Sequence, residues 1–176
     1  MKLISRSALI GAGSAIALVG LPLMTRFVEA AQAADPDDLA TLNAAIQLEL
    51  AAIKAYADAA KTGLVSPPVL KVVSGFVADH TAHAQALTAA VKAGGGIPAT
   101  APATLTYPGL KSEADILRFA LTLEEKAATT YLSVIPDLKD RTLAQVAGSI
   151  LGVETTHVAK LAEVLGQHPY PNGFVA

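Results

Sequence analysis

The chain has 176 residues, a formal net charge of −2 at pH 7 and no cysteine. This length allows one domain with a sizeable core, and the missing thiols exclude disulfides and thiolate metal sites. No run of Lys or Arg interleaved with aromatic residues occurs, so a nucleic-acid partner is not expected. Hydrophobic residues form 52% of the chain but aromatic ones only 5%, and such an alanine-rich sequence favours helices.

Residues 1–33 have the pattern of a secretory signal. Lys2 and Arg6 precede an apolar stretch over residues 7–24, and small residues follow directly before a charged segment. A basic segment, an apolar segment and an Ala-x-Ala site in this order predict export with cleavage after Ala33. We therefore expect a periplasmic or extracellular protein whose mature domain covers residues 34–176, with no stable membrane span after cleavage.

An uncleaved membrane anchor is the competing interpretation of this segment, because about 18 apolar residues can just span a bilayer. The small residues Ala31 and Ala33 favour cleavage instead. The sequence around Arg6 resembles a twin-arginine signal that lacks one arginine. The pattern therefore does not choose between the general and the twin-arginine export routes.

Four later segments have the hydrophobic spacing of helices, with apolar residues three and four apart. They cover about residues 36–62, 67–93, 112–135 and 139–165. Asp35 is a candidate N-cap for the first helix, and Ser112 with Asp115 three positions later resembles a capping box for the third. The sequence thus predicts an all-α fold, a four-helix bundle.

An internal repeat divides the four helices into two pairs. Glu49 followed by Tyr56 matches Glu124 followed by Tyr131 with an offset of 75 residues, and His80-x-x-His83 matches Glu154-x-x-His157 with an offset of 74. The stretch over residues 94–111 has no periodicity and is long for a bundle loop. We therefore expect two helix pairs joined by a long crossover connection.

Six ionisable residues lie on the predicted inward faces, near the middle of their helices: Glu49, His80, His83, Glu124, Glu154 and His157. Burying one such group alone costs several kcal/mol, so six of them need a common partner. Helices of similar length bring these positions to one level of an antiparallel bundle. The pattern predicts a metal site, and a metal-free network of buried hydrogen bonds is the alternative.

Two helices have one inward Glu each, and the other two have the motifs His80-x-x-His83 and Glu154-x-x-His157. This combination resembles the ferritin-like superfamily. The resemblance covers about residues 36–165 and is closest to exported bacterial ferritin-like domain proteins, related in plan to rubrerythrins and bacterioferritins. It implies metal ions, iron first. It further implies Glu49 and Glu124 as terminal ligands, Glu154 as a bridge, and His83 and His157 as imidazole ligands.

Residue 80 departs from this family pattern, which calls for a second bridging Glu there. His80 removes one negative charge and one bridge, so the site could hold one metal or two, with His80 as a terminal ligand. The additional imidazole makes manganese, zinc or copper alternatives to iron. Asp79 points about 100° away on the helix and is at most a neighbour of the ligands.

Tyr56 and Tyr131 lie two turns beyond the inward Glu of their own helices. This symmetric placement fits either core packing or a hydrogen bond to a metal ligand. The resemblance implies a ferroxidase- or peroxidase-like oxidoreductase that acts on iron, oxygen or peroxide. A non-catalytic envelope protein that sequesters metal or protects against stress is the alternative, and neither the substrate nor the oligomeric state follows from the sequence.

Overall fold

A computed structural model describes the backbone of residues 15–169 and the side chains from residue 23 onward. The described part contains five α-helices, one short 3-10 helix and no strand. The helices are α1 (Ala15–Gln32), α2 (Pro36–Lys61), α3 (Pro67–Ala93), α4 (Glu113–Val134) and α5 (Arg141–Val164), and the 3-10 helix covers Ile135–Asp137. The predicted all-α bundle is confirmed and consists of α2–α5.

Polar side chains cap the helices at their N-termini. Asp35 accepts a hydrogen bond of 3.0 Å from a backbone N–H in the first turn of α2. The Ser112 hydroxyl accepts from the Asp115 N–H at 3.2 Å, as the capping box predicts, while the Asp115 carboxylate accepts from the Ser112 hydroxyl at 2.8 Å and from the Lys111 N–H at 3.2 Å. α5 begins two residues later than predicted, because Asp140 caps it by accepting two backbone N–H groups of its first turn.

The bundle consists of two helix pairs, as the repeat predicts. α2 packs chiefly against α3, and α4 chiefly against α5. The connection between α3 and α4 has no regular structure and lies along α2. The Asn43 side chain binds the backbone of Ile97 and Ala99 at 2.9 and 2.6 Å. Further along, the Tyr107 hydroxyl donates to Asp58 at 2.8 Å, so the crossover is attached to α2 at two points.

Two groups of buried apolar side chains fill the bundle, one towards each end. The first includes Ile46, Leu87 and Leu143, which are at most 1% exposed. The second is smaller and includes Phe76 and Leu161. The inward Glu and His positions lie between the two groups along each helix, so the fold encloses a polar layer between two apolar layers.

The N-terminal helix α1 also contributes to the core. It packs against α3 and α5, and Phe27 and Ala31 are fully buried in the first apolar group. The Ala31 carbonyl approaches Gly94 so closely that a β-carbon at Gly94 would lie 2.7 Å from it. In the full chain the described part of α1 therefore takes part in the fold, which the sequence pattern did not indicate.

The export signal over residues 1–33 and the cleavage after Ala33 stay predictions. The basic start of that signal, in residues 1–14, and the end of the C-terminal tail, in residues 170–176, lie outside the described residues. Among the helices that the structure describes, none has the length and apolar character needed to cross a membrane.

The packing of α1 is testable in protein produced with its N-terminus intact. Phe27→Ala should lower the free energy of unfolding by about 3 kcal/mol, because it removes a fully buried aromatic side chain. Urea unfolding followed by circular dichroism measures the change. Ile97→Ala is the control, since Ile97 is 86% exposed and its truncation should change stability by less than about 0.5 kcal/mol. Equal stability of wild type and Phe27→Ala would contradict the packing of α1.

Candidate metal centre

The polar layer of the bundle contains all six side chains that the sequence analysis selected. α2 and α4 each contribute a Glu, while α3 and α5 each contribute two residues three positions apart, which share one helix face. Five of the six side chains are at most 2% exposed, and His83 is 13% exposed. The members of the layer are Glu49, His80, His83, Glu124, Glu154 and His157.

The six side chains form two overlapping groups of four. In each group the ligand atoms lie within 4.8 Å of one another. Glu49 and His83 belong only to the first group, and Glu124 and His157 only to the second. The remaining two members, His80 and Glu154, belong to both groups. The layer therefore offers two adjacent cation positions that share two side chains.

His83 and His157 occupy equivalent places on the two sides of Glu154. The His83 Nδ1 atom lies 3.2 Å from Glu154 Oε1 and 3.5 Å from Glu49 Oε2. On the other side, the His157 Nδ1 atom lies 3.3 Å from Glu124 Oε2 and 3.6 Å from Glu154 Oε2. Each Glu154 oxygen thus faces a different imidazole, the arrangement that a bridging carboxylate requires.

Glu154 lacks the hydrogen bonds that a buried carboxylate normally has. Both of its oxygens and the His83 Nδ1 atom are buried without a partner in hydrogen-bond geometry among the described residues. Leaving such atoms unsatisfied costs about 1–3 kcal/mol each, and more when the group is charged. A cation between these atoms would remove that cost, so the donor set fits a metal.

The carboxylates of Glu49 and Glu124 are held ionised by the imidazoles. Burial alone raises the pKa of Glu49, but the hydrogen bond with His80 and the nearby imidazole of His83, 3.5 Å away, outweigh burial and lower it. Burial likewise raises the pKa of Glu124, and hydrogen bonds with His157 and His80 reverse this effect. Both groups therefore remain negatively charged at neutral pH.

The three histidines are held protonated by the same contacts. Burial lowers the pKa of His80, yet hydrogen bonds with Glu124 and Glu49 outweigh it and raise the pKa to about 10. Burial also lowers the pKa of His83 and His157, but the neighbouring carboxylates outweigh burial and raise each pKa to about 9. Without metal, positive imidazolium groups therefore compensate the carboxylates, and a bound cation would replace their protons.

Two tyrosines connect the halves of the site. Tyr56 on α2 donates its hydroxyl hydrogen bond to Glu124 on α4, and Tyr131 on α4 donates to Glu49 on α2. Burial, reinforced by the carboxylates, raises the pKa of both phenols, so both stay protonated donors. Each tyrosine occupies one oxygen of its carboxylate, which is the geometry expected of a hydrogen bond that orients a metal ligand.

Asp79 contacts one of the candidate ligands, although the sequence analysis expected it to be at most a neighbour of them. Its Oδ2 atom lies 3.1 Å from His157 Nε2, so the other ring nitrogen, Nδ1, faces the polar layer. The Phe76 ring stacks on the His157 ring with centroids 4.1 Å apart. Asp79 points away from the inward face of α3 but towards α5, and a carboxylate in this position fixes the orientation of a neighbouring helix's imidazole.

A cavity of about 220 Å³ reaches the site between α2 and α4. Glu49, His80 and Glu124 line its inner end, and residues 105–107 of the crossover lie over it. Its sides include small residues, namely Ala51, Ala52, Ala55 and Ala127. A cavity of this size admits molecules such as water, oxygen or peroxide to the side of the ligands that faces α2 and α4.

This fold and polar layer define a helical bundle with a Glu/His site suited to metal ions. The ferritin-like domain family matches residues 37–167, and the chain belongs to this family. The predicted membership of the ferritin-like superfamily is therefore confirmed. None of the curated proteins compared matches the chain.

Two solved structures are similar to the chain. A conserved hypothetical protein from Mycobacterium tuberculosis has 25% sequence identity and a TM-score of 0.68, over 78% of this chain and 96% of that one. A ferritin-like, diiron-carboxylate protein from Bacillus anthracis has 24% identity and a TM-score of 0.64, over 73% and 95% of the two chains. Both similarities extend along nearly the whole length of the related proteins.

The pKa shifts predict how the stability of the metal-free protein depends on pH. A raised histidine pKa contributes stability that is complete below about pH 6.5 and is lost as the pH rises through about 9–10. The lowered carboxylate pKa values contribute above about pH 4.5 and are lost in acid. The melting temperature of the metal-free protein should therefore be highest between about pH 5 and 6.5 and fall towards pH 10.

Thermal unfolding followed by circular dichroism between pH 4 and 10 measures this profile. His83→Gln is the matched variant, because it removes one of the titrating imidazoles while keeping a polar side chain. The fall in melting temperature between pH 6.5 and 10 should be smaller in this variant than in the wild type. A wild-type profile that is flat from pH 6.5 to 10 would contradict the compensation of buried carboxylates by imidazolium groups.

Proposed function

We propose that the chain binds two metal ions, iron above all, in the polar layer of the bundle and reacts them with oxygen or peroxide. The observation that carries this proposal is Glu154, a buried carboxylate whose two oxygens face different imidazoles and have no hydrogen bond. One ion would lie beside Glu49 and His83, the other beside Glu124 and His157. Glu154 would bridge them.

The choice of iron has two supports. Iron accepts carboxylate and imidazole ligands, and manganese and zinc accept them too. The similar protein from Bacillus anthracis is described as a ferritin-like, diiron-carboxylate protein. Iron in such a site supplies one-electron chemistry with oxygen, and the protein supplies the positions of the ligands.

The side chains around the ligands would prepare the site for this chemistry. Tyr56 and Tyr131 hold Glu124 and Glu49 in place from opposite helices. The apolar groups on either side of the polar layer would shield it from water at both ends of the bundle, while the cavity between α2 and α4 opens onto Glu49, His80 and Glu124. A small oxidant could approach through this cavity.

The place of action that we propose is the cell envelope or the exterior. The basic start, the apolar stretch and the small residues before Asp35 support export. An exported iron-binding protein would meet iron and peroxide before either enters the cytoplasm. Removal of residues 1–33 would also remove Phe27 from the core, so the mature bundle would expose the apolar surface that α1 covers.

His80 favours a second candidate function, the sequestration of divalent metal without turnover. A neutral imidazole in the place of a carboxylate leaves fewer negative charges around the ions. A trivalent ion needs that charge more than a divalent one does, because each added positive charge in a buried site requires compensation. A neutral His80 would therefore oppose the oxidation of bound iron.

Metal loading separates these functions. Metal-free protein is titrated with iron(II) under anaerobic conditions, and the iron content is measured by elemental analysis after desalting. We expect about two ions per chain, as in two-metal centres. Glu154→Ala should retain at most one, since Glu154 belongs to both groups. The matched pair Glu124→Ala and Glu125→Ala changes adjacent residues of α4, and the exposed Glu125 should be dispensable.

Exposure of the loaded protein to oxygen or peroxide then measures iron oxidation by absorbance. Oxidation faster than in buffer, in the wild type and in Glu125→Ala but not in Glu124→Ala, would support the oxidoreductase. Two bound ions that oxidise no faster than in buffer would identify a sequestering protein. Protein that keeps its fold but binds no iron near stoichiometry would contradict both functions and leave a metal-free polar network.

A further inference from the structure

We infer that His80 bridges the two metal positions through both of its ring nitrogens, in the place where the family pattern has a second bridging carboxylate. The inference rests on the proposed two-metal function and deepens it, because it gives His80 a role that a terminal ligand does not have. The structural basis is the placement of the His80 ring between the two groups of ligands.

The two nitrogens of His80 face different groups. The Nδ1 atom lies 2.8 Å from Glu49 Oε2, on the side of the first cation position. The Nε2 atom lies 3.2 Å from Glu124 Oε1, on the side of the second position. Since Glu49 and Glu124 are the carboxylates that belong to only one group each, the ring extends from one position to the other.

His157 shows what a terminal imidazole looks like in this protein. His157 turns Nδ1 towards the ligands and Nε2 towards Asp79, which is not a member of either group. A terminal ligand usually has such an outer partner for its second nitrogen. His80 has none of this kind, because both of its hydrogen-bond partners are candidate metal ligands themselves.

The His80 ring is also held in this orientation. Its side chain is 1% exposed. The Tyr56 ring stacks beside it with centroids 5.9 Å apart, and the His157 ring lies edge-on at 5.3 Å. These two neighbouring rings restrict the tilt of the imidazole plane.

A bridging His80 restores the balance of charge. Two divalent ions carry four positive charges, while Glu49, Glu124 and Glu154 supply three negative charges. When both ring nitrogens bind metal, the imidazolium loses two protons to solvent, each N–H bond is replaced by a nitrogen–metal bond, and the resulting imidazolate supplies the fourth negative charge. An uncompensated charge in a buried site is costly, so this arrangement is favoured over a neutral terminal His80.

The bridge predicts a difference in the spacing of the ions. The two ring nitrogens point to opposite sides of the imidazole, so an imidazolate holds two ions further apart than the about 3.5–4 Å of ordinary two-metal centres. Divalent ions that accept imidazole readily, zinc and copper as well as iron, suit this geometry. Zinc alone is a suitable probe, because it has no redox chemistry.

The test compares zinc binding by the wild type, His80→Glu, His80→Gln and His83→Gln. Calorimetry gives the number and affinity of the ions, X-ray absorption at the zinc edge gives their separation, and circular dichroism verifies the fold. The wild type should bind two zinc ions without a zinc–zinc distance of about 3.5–4 Å, and His80→Glu should bind two ions at that distance. His80→Gln should weaken both ions by more than about 10–100-fold, whereas His83→Gln should weaken one.

Two zinc ions at about 3.5–4 Å in the wild type, or unchanged affinity for both in His80→Gln, would overturn the bridge and leave the proposed two-metal function standing. One zinc ion per chain in the wild type would overturn the bridge in favour of a mononuclear site. Failure of the folded wild type to bind zinc or iron would instead contradict the proposed function itself.

Discussion

The structure depends on the burial of three carboxylates beside three imidazoles in the middle of an apolar bundle. Removal of one partner from such a cluster leaves an uncompensated buried charge, which costs about 3–5 kcal/mol. The helices must therefore bring all six side chains to one level of the bundle. This polar layer separates the two apolar groups of the core. Because burial of these polar atoms costs free energy when no cation is bound, the same burial favours the binding of a cation.

The two halves of the bundle solve this constraint in nearly the same way, except at one position. Each half supplies a carboxylate, a histidine and a tyrosine that reaches across to the other half's carboxylate. The halves differ where Glu154 on α5 corresponds to His80 on α3. The carboxylate lacks hydrogen bonds, while the imidazole binds carboxylates at both nitrogens. This single difference separates the chain from a four-carboxylate site.

Periodicity and repetition were sufficient to predict the helices of the bundle and the six inward residues, because a buried polar residue interrupts an otherwise apolar face at a recognisable position. They were insufficient where the outcome depends on neighbouring helices. Asp79 meets His157 only through the packing of α3 on α5. The burial of Phe27 was hidden because an apolar signal pattern has no distinct inward face. Which nitrogen of His80 faces which carboxylate is a property of three-dimensional placement alone.

The polar layer is proposed to hold two ions between α2, α3, α4 and α5. The most direct measurement is a crystal structure of the iron-loaded protein with diffraction data collected on both sides of the iron absorption edge. We expect two anomalous peaks in the bundle, one beside Glu49 and His83 and one beside Glu124 and His157, with Glu154 in contact with both. Peaks confined to surface carboxylates, with the six side chains still paired to one another, would contradict it.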